Sequence, residues 1–62
     1  MKIIQTVLLI EDDLAIIETI RTILSSTIST IERILVAHTM AEGLDILRDS
    51  GIDLVILDPG LP

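Results

Sequence analysis

The chain contains no cysteine, so neither a disulfide nor a thiolate metal site can hold it together. It has no phenylalanine, tryptophan or tyrosine, which leaves Ile, Leu and Val to build the core and removes any aromatic platform for stacking nucleic-acid bases. Positive charge is scarce. Lys2, Arg21, Arg33 and Arg48 stand against ten acidic residues, giving a net charge of −6, which argues against binding nucleic-acid phosphates or an anionic membrane surface directly. No apolar run exceeds four residues, as in Val7–Ile10 and Leu54–Leu57, whereas a membrane span needs about 20. Met1–Thr6 carries one basic residue and soon meets Glu11-Asp12-Asp13, unlike a secretory leader. A soluble, cytoplasmic chain is the expectation. Its 62 residues suffice for one small domain, near the lower limit at which a hydrophobic core alone sustains a fold.

What is present is a regular alternation. Thr6–Ile10 is a β-branched apolar block closed by three acids, the pattern of a strand buried on both faces of a parallel sheet. From Leu14 the period changes, and Ile16, Ile17, Ile20, Ile23 and Leu24 form one helical stripe that is expected to be core, with Asp13 as N-cap. The run Ser25–Thr30 should end that helix, because its hydroxyls compete for backbone hydrogen bonds. Ile34–Ala37 reads as a second strand. Thr39 and Glu42 have capping-box spacing ahead of a second helix carrying Met40, Gly43, Leu44 and Leu47 on one side and stopping at Ser50-Gly51. Ile52–Leu57 reads as a third strand, ended by Asp58-Pro59-Gly60-Leu61-Pro62.

Strand, helix, strand, helix, strand predicts a doubly wound α/β unit. Right-handed crossovers then favour sheet order 2-1-3 with one helix on each face. The third strand falls at an edge, so if the chain ends at Pro62 two copies are expected to pair there and form a homo-oligomer. In such sheets functional groups collect beyond the C-terminal ends of the strands, where Glu11 and Asp12 follow the first strand and Asp58 the third. Three carboxylates drawn together repel unless a cation intervenes, and a hard, partly hydrated ion such as Mg²⁺ suits oxygen ligands.

Val7-Leu8-Leu9-Ile10-Glu11-Asp12-Asp13, Asp53-Leu54-Val55-Ile56-Leu57-Asp58 and Leu61-Pro62 together resemble the first half of a response-regulator receiver domain of two-component signalling, similar to chemotaxis regulators. The resemblance runs from Thr6 to the last residue and implies a flavodoxin-like βαβαβ fold over residues 1–62. It implies that Asp58 accepts a phosphoryl group from the phosphohistidine of a histidine kinase or phosphotransfer protein. It also implies that Glu11, Asp12, Asp58 and the backbone carbonyl of Gly60 hold Mg²⁺, with Asp12 a direct ligand. The resemblance thus implies a phosphoprotein in a phosphorelay rather than an enzyme, and no catalytic residue is assigned. Receiver domains also carry a hydroxyl residue after a fourth strand and a lysine after a fifth. This sequence stops before both, and Pro59 removes a backbone N–H beside the acceptor, so phosphorylation is expected to be inactive or incomplete in a truncated chain.

Two other readings compete with this one. The same fold could serve as an interaction module through its third-strand edge without phosphorylation, or it could be a folding fragment with no function of its own. Asp45, Asp49 and Asp53 read as solvated acids, and His38, alone before a helix, reads as a partly exposed structural residue.

Overall fold

Thr6–Ile10 forms a strand, β1, in which all five residues are buried. In the computed structural model, which describes residues 3–57, β1 is followed by α1 (Leu14–Thr27), β2 (Arg33–Ala37), α2 (Met40–Asp49) and β3 (Leu54–Leu57). The three strands are parallel and ordered β2-β1-β3, as the crossover argument requires. Val7 pairs with Ile34 on one side and Leu54 on the other, and Ile10 pairs with Ala37 and Leu57. No helix among the described residues is long and apolar enough to cross a membrane.

Alternation along β1 divides the core between two helices. Leu8 and Ile10 cluster with Ala37, and Leu35, Ile46 and Ile52 pack against them beneath α2. Leu9 faces the other way, toward α1, whose buried residues are Ile17 and Leu24. Both helices are narrower in their burial than their apolar stripes. Ile20 is half-buried, while Ile16 and Ile23 are exposed, because Ile17 and Leu24 share the line of contact seven residues apart and the others lie on its flank. On α2 only Gly43 is buried and Ile46 packs on the core, whereas Met40, Leu44 and Leu47 remain exposed.

The ends of the helices follow from short side chains. The Asp13 carboxylate accepts from the N–H groups of Ala15 (2.9 Å) and Ile16 (3.2 Å), capping α1. At α2 the Glu42 N–H donates to Thr39 Oγ1 at 3.1 Å, and the Glu42 carboxylate accepts from the backbone N–H of His38 at 3.2 Å, one residue beyond the usual reciprocal partner. Helix α1 runs through Ser25 and Ser26 to Thr27, further than its hydroxyl content suggests. The hydroxyls of Thr19, Thr22 and Ser26 donate to carbonyls one turn back, so they join the helix instead of breaking it. Strand β3 starts at Leu54, two residues later than the apolar run, because Ile52 N–H bonds back to Ser50 and the Thr6 N–H of β1 is taken by the Asp53 side chain instead of a backbone carbonyl.

Gly43 is where α2 comes closest to the sheet. A Cβ there would collide with Ile10 Cδ1 and lie 2.8 Å from Ile10 Cγ1, while Ala37 Cβ would be at ordinary contact distance, 3.7 Å. Glycine costs a helix about 1 kcal/mol relative to alanine, so the close approach outweighs local preference. Gly43→Ala is therefore expected to lower stability by about 1–2 kcal/mol despite better helix propensity, since Ile10 is buried and must change rotamer. Ile10→Val in the same chain should recover part of that loss. Thermal unfolding followed by far-UV circular dichroism measures both.

Candidate functional site

Strands β1 and β3 are hydrogen-bonded neighbours, and the register pairs their last residues, Ile10 and Leu57. The chain leaves β1 as Glu11-Asp12-Asp13 and leaves β3 as Asp58. Asp58 and Gly60, the phosphoacceptor and carbonyl ligand expected from the sequence, lie outside the described residues, so the geometry that can be stated is that of the acids following β1.

Those three acids occupy three different environments. Glu11 is only 1% exposed. Its backbone N–H extends the ladder to the Ala37 carbonyl at 2.9 Å, and its Oε2 accepts from the Asp12 N–H at 3.0 Å. With Leu9, Ile16, Ile20, Ile56 and Leu57 it lines a cleft of about 330 Å³ between α1 and the β3 side of the sheet. Asp12 is exposed. Asp13 spends its carboxylate on the first turn of α1. Of the acidic run, then, Asp12 offers a carboxylate to solvent, Glu11 supports the turn from within, and Asp13 builds the helix.

Asp12 is thus the accessible carboxylate of this turn, with Glu11 behind it holding the Asp12 N–H. Among the described residues there is no group of three or more His, Cys, Asp or Glu side chains that could hold a metal ion. His38 is exposed on the connection from β2 to α2, and its backbone N–H serves the Glu42 carboxylate, which is a structural role.

Asp53 is not the solvated acid that the sequence suggests. It is half-buried at the opposite end of the sheet, where its Oδ2 accepts from the backbone N–H groups of Gln5 (2.9 Å) and Thr6 (3.0 Å), while its own N–H donates to the Thr6 carbonyl at 2.9 Å. One carboxylate thereby fastens the start of β1 to the start of β3. The available signal was its position within an apolar run, where a carboxylate needs donors. Asp45 and Asp49 are exposed, as expected; Asp45 makes an i,i+3 ion pair with Arg48 at 3.8 Å in which both side chains are 75% exposed.

Compared with protein-family models, with curated proteins and with solved structures, the chain gives no match in any of the three.

Two charge-assisted hydrogen bonds at Asp53 make it the acid whose removal should be felt most. Asp53→Ala is expected to cost about 2 kcal/mol, a drop in Tm of roughly 10 °C for a domain of this size, with Asp53→Asn intermediate. Asp45→Ala should change stability by less than about 0.5 kcal/mol, because exposed ion pairs contribute little. Melting curves of the three variants decide the ranking.

Proposed function

We propose that this chain is a phosphoacceptor receiver module, in which Asp58 takes a phosphoryl group from a phosphohistidine on a histidine kinase or phosphotransfer protein with the help of Mg²⁺. The observation that carries this reading is the parallel pairing of β1 with β3, with Ile10 opposite Leu57, which gives the Glu11-Asp12 turn and Asp58 adjacent strands to follow. A carboxylate oxygen of Asp58 attacks phosphorus, the N–P bond of the donor breaks, the imidazole departs with that electron pair, and an aspartyl phosphate forms. Bound Mg²⁺ would offset the negative charge on the phosphoryl oxygens. Asp12, exposed to solvent, would supply a ligand, along with Asp58 and the Gly60 carbonyl; Glu11 would keep the turn after β1 in shape. The module acts as acceptor and relay rather than as an enzyme with a substrate of its own, and a cytoplasmic setting accompanies that role.

A second reading, an interaction module that works without phosphorylation, is favoured by the exposed apolar side chains of β3.

Incubation with a small phosphodonor such as acetyl phosphate, followed by intact-mass measurement, tests the proposal. The expected result is the gain of one phosphoryl group that needs Mg²⁺ and is lost in Asp58→Asn, with Asp12→Ala raising the Mg²⁺ requirement roughly tenfold or more. A parent chain whose mass never changes overturns it. Stabilisation by millimolar Mg²⁺ in thermal melts, absent from Asp58→Asn, gives an independent readout of the ion site.

A further inference from the structure

Arg33 N–H donates to the Gln5 carbonyl at 3.1 Å and Glu11 N–H to the Ala37 carbonyl at 2.9 Å, so the odd-numbered residues of β2 turn their backbone groups toward β1. The N–H and C=O groups of Ile34 and Val36 therefore point outward, and no strand among the described residues lies beyond them. Further strands of a doubly wound 2-1-3-4-5 sheet join beyond β3, so this edge does not depend on the chain that follows Leu57. The strand contains neither proline nor glycine. By the same alternation the His38 N–H points outward, and the Glu42 carboxylate takes it at 3.2 Å. The Glu42 side of α2 thus overhangs the outer edge of β2. Asp45 and Asp49, both exposed, lie three and seven residues further along α2 and share that side.

We propose that the outer edge of β2 takes up an extended basic segment of another protein as an added antiparallel strand. Main-chain bonds come from Ile34 and Val36, each exchanging an N–H and a C=O with the residue opposite it. Opposed residues share a face, so partner residues opposite Ala37 and Leu35 project on the α2 side, where Leu35 and Ala37 themselves lie. Glu42 to Asp49 covers about 10 Å of helix axis, and two side chains on one face of a strand, about 6.8 Å apart, both fall within it. Basic residues fit these two positions. The place opposite Arg33 suits an uncharged residue. Charge also decides against a second copy as occupant. Antiparallel pairing of two β2 strands would bring the acidic sides of two α2 helices toward each other, in chains that each carry −6. The partner is therefore recognised by backbone shape and by basic residues at alternate positions, through a surface separate from the acids that follow β1.

The probe is the capped peptide acetyl-Lys-Val-Lys-Val-Ser-amide, titrated at low salt into the full chain labelled with nitrogen-15. Its valines fall opposite Val36 and Ile34. The amide resonances of Ile34 and Val36 should shift, with half-saturation at or below about 1 mM. N-methylation of both valines, which removes the donors that face β2, should abolish the shifts, whereas N-methylation of the lysines, whose N–H groups point away, should leave them. The double variant Asp45→Lys, Asp49→Lys, altered only at exposed positions, should raise the half-saturation concentration at least about tenfold with its far-UV spectrum retained. No shift at about 5 mM peptide, shifts that survive N-methylation of the valines, or unchanged affinity in the double variant overturns the proposal. Shifts of Ile34 and Val36 with chain concentration alone would identify a second copy as the occupant and equally overturn it.

Discussion

Everything in this structure depends on the complete burial of β1. A strand of five consecutive buried residues needs cover on both faces and a neighbour on both sides, and the rest of the chain is arranged to provide it. The order β2-β1-β3 supplies both neighbours, and the right-handed crossovers that create that order carry α1 and α2 to opposite faces. Neither outer strand receives the same treatment, which is why β2 is only partly buried and β3 alternates between half-buried and exposed. Among the described residues burial is concentrated in the central strand.

The same constraint positions the acids. Because β1 is central, its C-terminal turn lies between the ends of two other strands, and Glu11 continues the ladder to β2 while Asp12 and Asp13 leave it. Three successive carboxylates then diverge: one turns inward, one outward, and one caps the next helix. Adjacent sequence positions give different chemistry here because the backbone changes from strand to helix within three residues. At the other end of β1 a single carboxylate, Asp53, serves two backbone donors. The acids at the two ends of β1 thus divide into structural ones, Glu11, Asp13 and Asp53, and a solvent-facing one, Asp12.

Much of the architecture was legible because strong local signals agree. The bounds of β1, the capping roles of Asp13 and Thr39, the element order and the sheet order can all be read from apolar runs, short polar side chains and crossover handedness. What escaped depends on depth and direction. The stripe on α1 correctly marks a helix, but how much of it is buried depends on the width of the sheet beneath, so Ile16 and Ile23 stay exposed. On α2, Ile46 rather than the Met40, Leu44 and Leu47 row meets the core, because Gly43 sets which side sits down on Ile10. Asp53 looked solvated because its partners, Gln5 and Thr6, lie far away in sequence. At the end of β1 the place of the acidic run could be read from the sequence, but the inward turn of Glu11 could not, since nothing in a run of three acids says which one the fold will enclose.

The clasp between Asp53 and the start of β1 also bears on how the protein is made. Thr6 and Asp53 are separated by 47 positions, so at about 5–20 residues per second a ribosome needs roughly 2–10 s to deliver the second after the first. Throughout that interval the most oil-like segment of the nascent polypeptide has at most one of its two flanking strands. Helix α1 and β2 can form against it early, but its other side closes only when β3 emerges. The newborn chain therefore passes through a waiting period in which chaperone binding, or capture by another unfinished molecule, competes with completion of the sheet.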